Sequence, residues 1–483
     1  MRKFAVILSV LFVLSFTAFT GCKKDKTHRT FYDIQVSLED STLIGTECLT
    51  YFNDTDTAIS ELKFNLYGNA YRKDAKYSPV SAYQTAQSYP NGLSYGDMQI
   101  NCVKQDKTQL THQVCGEDMN ILKVTLPYEI FPEESVQITI DFTLNLANVI
   151  SRTGINDQTI NLANFYPILC ARDSNGFYEC VYYSTGDPFY SDCADYKVTI
   201  TTDKDYVIAS SGKEISKVTE GEKVTATYDI VSARSFALVL SKNFQTQNIN
   251  ACGVDINYYY YNDKMPNESL EYAVKSLEYF EQTFGEYPYP TYSVVQTKFV
   301  QGGMEFPALV MISDGLDARS YGEVIVHETA HQWWQTAVGN NEIEYGFLDE
   351  GLAEYSVVLF YENYSEYGLS REALVKSAED TFRVFCTVAD KVFGKVDTSM
   401  MRSLKDFDSE YEYVNMAYIK PCIMYDTLRT TLGDTRFFSG LKRYYQNYKF
   451  KNATPHDLVG AFEKVGADSN GFFESFFDGT AII

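Results

Sequence analysis

Over the first half of the chain the hydrophobic positions recur with a period of two. Val136, Ile138, Ile140, Phe142, Leu144 and Leu146 alternate with polar residues without a break, as in a strand with one face buried. Tyr196–Thr201 and Tyr206–Ala209 continue the pattern, and Phe236–Leu240 reads as a strand buried on both faces. Gly, Asn and Asp clusters separate these runs. Residues 32–247 are therefore expected to form one β-sandwich-like domain. Near residue 265 the period changes. Leu270, Val274, Leu277, Glu281 and Phe284 fall on one helical face, with Gly285 where a helix stop belongs. A Pro-rich turn follows at Tyr287–Pro290, then a strand over 293–300. From Tyr321 onward the pattern is mainly helical, with helices expected at 321–338, ending before Gly339, and at about 349–364 and 419–432. The chain is thus multidomain α and β, a β domain followed by an α-rich domain over 248–483.

The 483 residues are enough for two or three domains with a sizeable core each. The 39 Tyr and 32 Phe suit half-buried sheet faces and are read as packing residues. The first residues stand apart. Arg2 and Lys3 precede an apolar stretch, Phe4–Phe19, which ends in Thr20-Gly21-Cys22. That is a secretory leader pattern, and its end resembles a bacterial lipoprotein processing site. Residues 1–21 are read as a signal peptide, Cys22 as the lipid-modified first residue, and 22–31 as a solvated tether. This implies an extracytoplasmic protein anchored to the bacterial cell membrane. Net charge is -23, and loss of Arg2 and Lys3 makes it two units more negative. Such a surface disfavours nucleic acid and anionic lipid. Of the ten Cys, Cys102 with Cys115, and two of Cys170, Cys180 and Cys193, are near enough in sequence to bridge, with connectivity open.

The chemistry lies in the second half. His327-Glu328-Thr329-Ala330-His331 is an H-E-x-x-H pattern inside an expected helix. Residues four apart share a helix face, so His327 and His331 can take two corners of a zinc tetrahedron. Glu328 lies beside them, where it can take a proton from water. Glu350, nineteen residues after His331 in Leu348-Asp349-Glu350-Gly351, can return across the first helix as third ligand. Glu354, one turn on, is placed to accept a hydrogen bond from a ligating His. The remaining histidines, His28, His112 and His456, have no ligand-like neighbours.

These residues and their flanks, His331-Gln332-Trp333-Trp334 and Asp349-Glu350-Gly351-Leu352-Ala353-Glu354-Tyr355, resemble the aminopeptidase N family of zinc metallopeptidases. These are gluzincins with a thermolysin-like catalytic domain. The G-x-M-E-N motif of that family is matched by Gly302-Gly303-Met304-Glu305-Phe306, with Phe306 in place of Asn. The resemblance implies that this segment binds substrate and that Glu305 holds its free α-amino group. Tyr418-Ile419-Lys420-Pro421 stands where the family has a Y-x-K-G-type segment. It implies that Tyr418 donates to the oxyanion, with Tyr411 and Tyr413 as nearby competitors. Pro421 replaces Gly, so a helix is expected to begin close to Tyr418. Phe64–Tyr71, Phe165–Pro167, Gly186-Asp187-Pro188-Phe189 and the ending through Thr480 also read like the family. The chain stops where the family's catalytic domain usually ends, and the long helical domain that follows in many members is expected to be absent. The family implies one Zn2+ per chain and peptides with a free N-terminus as substrates. The alternatives are a metalloendopeptidase with the same zinc site and a non-catalytic peptide-binding surface lipoprotein.

Overall fold

A computed structural model describes residues 29–173, 175–394, 396–467 and 471–481. The leader, Cys22 and most of the tether lie outside these residues. No described helix is long and apolar enough to cross a membrane.

The two-residue period becomes a large sheet. Eight strands pair in the order Lys213–Glu220, Lys223–Ala233, Ala194–Asp203, Phe31–Glu39, Thr42–Phe52, Ser135–Asn145, Asp97–Gln105 and Thr108–Gln109. Phe31–Glu39 runs parallel to Ala194–Asp203 and the other pairs are antiparallel. Along Ser135–Asn145 the alternation holds, with Val136, Ile138, Ile140, Phe142 and Leu144 buried. Two four-stranded sheets accompany it, one carrying Ile59–Asn65 and Ile121–Ile130, the other Val207–Ser210 and Leu238–Ser241. Lys213–Glu220 is exposed along its whole length and carries charges at an open edge, which discourages pairing with another chain.

The second domain begins with five strands: β1 (Gln245–Ala251), β2 (Val254–Tyr260), β3 (Thr291–Thr297), β4 (Gly303–Phe306) and β5 (Leu309–Ser313). Their order is β1-β2-β3-β5-β4. β2, β3 and β5 are parallel, whereas β4 is antiparallel and forms an edge. Helix α1 (Pro266–Phe284) connects β2 to β3 and stops at Gly285, whose φ of 137° suits glycine. Its buried face is Ala273, Ser276, Leu277, Phe280 and Phe284, with Leu270, Val274 and Glu281 at the margin. The face is turned from the expected one because Phe280 and Phe284 pack on Trp333 and Trp334.

Among the helices that follow in the described residues are α2 (Ala318–Ala330), α3 (Phe347–Asn363), α4 (Arg371–Phe393), α5 (Lys420–Leu432), α6 (Asp434–Tyr448), α7 (Pro455–Glu463) and α8 (Phe472–Phe477). Helix α2 ends at Ala330, not at the expected residue 338. Trp333 and Trp334 are buried in the core, Gln335 takes a φ of 126°, and Val338–Gly339 pairs in parallel with Lys451–Asn452. The helix expected to begin close to Tyr418 is entered from a helical run that already begins at Glu410, and Pro421 stands in the first α-helical turn of α5. A π-helical segment, Asn415–Ile419, leads into it. The nine described cysteines are all thiols. Cys102 and Cys115 are therefore unbridged, as are Cys170, Cys180 and Cys193.

Candidate active site

Helix α2 starts firmly, the Asp317 side chain accepting from the backbone N–H of Arg319 and of Ser320, both at 3.0 Å. Its end is also fixed. Tyr292 and Thr329 share a hydroxyl hydrogen bond of 2.8 Å. Gln332 donates to Phe306 O at 3.1 Å and accepts from Ala308 N at 2.9 Å, which ties the helix end to the β4–β5 turn. Between these anchors His327 and His331 project from one face.

Three ligand atoms meet there. His327 Nε2 and His331 Nε2 are 3.0 Å apart, and Glu350 Oε2 lies 3.3 Å from the first and 3.1 Å from the second. Tetrahedral zinc ligands about 2.1 Å from the metal sit roughly 3.4 Å from one another, so the cup is within a few tenths of an ångström of the required size. The rings are aimed by their other nitrogens. His331 Nδ1 is 2.9 Å from Trp334 O, and His327 Nδ1 is 3.4 Å from Glu354 Oε2. The Tyr418 hydroxyl donates to Glu350 Oε1, and its ring stacks on His327 with centroids 5.8 Å apart. Close helix packing sets that contact, since a Cβ on Gly351 of α3 would lie 2.3 Å from Pro421 of α5.

The electrostatics call for a cation. Burial works to lower the His327 imidazole, yet Glu350 and Glu354 outweigh it and push the value up to about 9. His331 is raised well above its ordinary value against burial, by Glu305 and Glu350. Burial opposes ionisation of Glu350, but His331 and His327 hold its carboxyl well below the usual range. His327, His331 and Glu350 would hold a divalent ion at the meeting point, which would take over this positive charge in place of the imidazole protons. The nitrogen and oxygen donors, their spacing and their satisfied outer hydrogen bonds therefore fit zinc.

Glu328 stands beside the cup. Burial pushes its carboxyl up to about 7, and its Oε2 is buried without a hydrogen-bond partner. Gly303 on β4 makes room for it, because a Cβ there would lie 2.1 Å from Glu328 Oε1. Both face a cleft of about 390 Å³ between the two domains. Gly302 and Gly303 line it, whereas Met304 turns away and meets Arg152 Nε at 3.1 Å through its sulfur. Glu305 is buried and comes within 4.8 Å of Glu328 and His331, but it opens on a second, narrower cavity behind β4. Of the competing tyrosines, Tyr411 is exposed and packs on Phe385, while Tyr413 is buried edge-on to Tyr418 and reaches the cleft wall. Sequence reasoning missed Asp187 and Arg152, a buried ion pair from the β domain that lines the cleft. The Gly186-Asp187-Pro188-Phe189 run was the only signal for Asp187, and Arg152 had none.

Known proteins match this arrangement. Residues 268–476 match the peptidase family M1 domain. Aminopeptidase N of Lactococcus lactis subsp. lactis is 26% identical over 234 residues, which are 44% of this chain and 26% of that protein. Aminopeptidase M1-B of Oryza sativa subsp. japonica is 24% identical over 306 residues, 57% of this chain and 33% of that protein. The chain thus spans a quarter to a third of these relatives' length. An M1 zinc metallopeptidase from Deinococcus radiodurans has the same fold, with a TM-score of 0.67 and 16% identity over 94% of this chain and 95% of that one. A mutant of that protein solved with a Tyr-Ser-Ala substrate gives a TM-score of 0.65 at 17% identity. With the H-E-x-x-H helix, the returning glutamate and the two-domain fold in place, this chain is similar to the aminopeptidase N-type M1 metallopeptidases, and residues 268–476 carry the match to their peptidase domain.

Proposed function

We propose that the protein is a zinc aminopeptidase hydrolysing the first peptide bond of peptides with a free N-terminus. The observation that carries this reading is the meeting of His327, His331 and Glu350 within 3.3 Å, next to an unpartnered buried oxygen of Glu328. A zinc ion held by those three residues supplies Lewis-acid polarisation of a carbonyl and a lowered pKa for water. Glu328 takes the proton of the attacking water on Oε2 and delivers it to the leaving amine, a role worth about 10²–10⁴ in rate. Tyr418 turns its hydroxyl from Glu350 Oε1 to the oxyanion, where such a donor contributes about 10²–10³. Glu305 pairs with the substrate ammonium and fixes the first peptide bond over the cup. Gly302 and Gly303 leave the backbone of the β4 edge bare for an extended peptide. The substrate bound to the Deinococcus radiodurans protein supports peptides as the substrate class.

Glu328→Gln tests the assignment. It should bind one zinc per chain, as wild type does, and lose at least about 10³-fold in kcat on aminoacyl-coumarins. Normal turnover in this variant would refute the mechanism. N-terminal acetylation should abolish cleavage, and equal cleavage of acetylated and free peptides would make the enzyme an endopeptidase.

The same proposal includes an extracytoplasmic location, with a lipid on Cys22 as anchor in the bacterial cell membrane. The leader over 1–21 supports it. Labelled palmitate should enter the wild type and not Cys22→Ser, and a label independent of Cys22 rejects the anchor.

A further inference from the structure

A second group of acids lies behind β4. Glu305, Glu342 and Asp349 each bring a carboxylate oxygen within 4.8 Å of the others. They are 4%, 4% and 2% exposed. The hydrogen bonds that reach them are neutral: Gln335 Nε2 donates to Glu342 Oε1 at 2.8 Å, and Asn340 Nδ2 to Asp349 Oδ1 at 3.1 Å. Three acceptors remain without partners: Glu305 Oε1, Glu342 Oε2 and Gln335 Oε1. The last is a neutral amide oxygen on a residue only 8% exposed, held at the cavity by the bond its Nε2 makes to Glu342. Glu305, Glu342 and Gln335 line one cavity of about 20 Å³ between the domains, room for a single ion or water. Arg234 lines it too, but its guanidinium donates to Gln335 O at 2.7 Å, Ser191 O at 3.0 Å, Lys451 O at 2.6 Å and Asn452 Oδ1.

We propose that this cavity binds one hard cation of the calcium class, separate from the cup of His327, His331 and Glu350. The donors are all oxygens, which selects against zinc and for calcium or its like. Two oxygens each about 2.4 Å from one ion lie at most about 4.8 Å apart, the limit these three carboxylates meet. Glu305 belongs to both groups of acids, so the ion braces from behind the residue proposed to hold the substrate ammonium.

The test titrates the zinc-loaded full chain with calcium alone, by calorimetry, with both metals counted by mass spectrometry. One calcium per chain alongside one zinc is expected, with a Tm several degrees higher at saturation. Glu342→Gln should keep the zinc and weaken calcium binding at least tenfold. Asp349→Asn is the second variant should the first not fold. No calcium on the wild type, or calcium binding unchanged in the folded variants, overturns the site. So does a wild type without calcium whose variants show a raised KM for free-amine peptides only, which would give the cavity to the substrate ammonium. Calcium binding is read without turnover, so its failure is distinguishable from failure of the peptidase reading.

Discussion

Glu47 occupies an inward position on the strand Thr42–Phe52, opposite Ile34 and Ile140. It is fully buried, and neither carboxylate oxygen has a partner. Burial raises its pKa well above the ordinary 4.5. The folded state therefore holds this proton more tightly than the unfolded chain. Below 4.5 both states are protonated and the residue takes nothing from stability. As pH rises above that, the unfolded chain gains by ionising and the folded state loses ground. Glu47→Gln removes the titration. We expect it to be more stable than wild type at pH 8, by about 1–3 kcal/mol on the scale of an unsatisfied buried polar group. The gain should shrink toward zero near pH 4, followed as the difference in Tm. A difference independent of pH would mean that the carboxyl is not the cause. Glu47 was passed over in the sequence, although it stands at a position in the alternation of Leu43, Leu49 and Tyr51 that normally carries an apolar side chain. His327, His331 and Glu350 were legible. Helical spacing and one loop bring them together, so local rules suffice. Asp187 and Arg152 reach the cleft only through packing of one domain on the other.

Helix α2 shows where element-level reading stops. Its presence was visible, with a start expected at Tyr321 and found at Ala318, but its end is set by what the following residues must bury. Trp333 donates to Gly285 O at 2.8 Å and Trp334 to Ser356 Oγ at 3.2 Å, so both indoles leave the helix path for partners distant in the chain. The π-helical segment before α5 was equally hidden, and such segments often occur at functional sites. Here it contains Tyr418, the residue that touches Glu350. The pairing of β4 with α2 has a sharper consequence. Gly303 must lack a side chain because Glu328 fills the space. Gly303→Ala should fold and hold zinc, since the displaced group is the tip of a side chain. It should nevertheless move Glu328 by about 1 Å and lower kcat by about 10²-fold. Zinc content, Tm and kcat measured together decide this. Wild-type kcat in a folded Gly303→Ala protein would show that Glu328 does not act from this position.

At the scale of the whole molecule, the change from a two-residue to a helical period near residue 265 gave both layers of the architecture, because period is a property of each segment alone. How the layers face each other was not legible, and the cleft is made by that facing. Its walls carry Asp187, Glu323, Glu354 and Glu410, against the single guanidinium of Arg152, which Asp187 already pairs. Around it the chain has a net charge of -23. Carboxylates lining a cleft with low-dielectric walls focus a negative potential outward and raise the encounter rate of cationic ligands about 10- to 10³-fold at low salt. Screening shortens the reach of that field from about 30 Å at 0.01 M salt to about 3 Å at 1 M. We therefore expect kcat/KM for peptides with Arg or Lys beyond the first residue to fall about tenfold between these limits. An uncharged peptide of equal length should change little, and one with Asp or Glu should improve. Encounter and not chemistry is screened, so kcat should stay constant in all three series. An equal salt response for cationic, neutral and anionic peptides would mean that the acidic cleft does not steer substrate, and the charge would then serve only solubility.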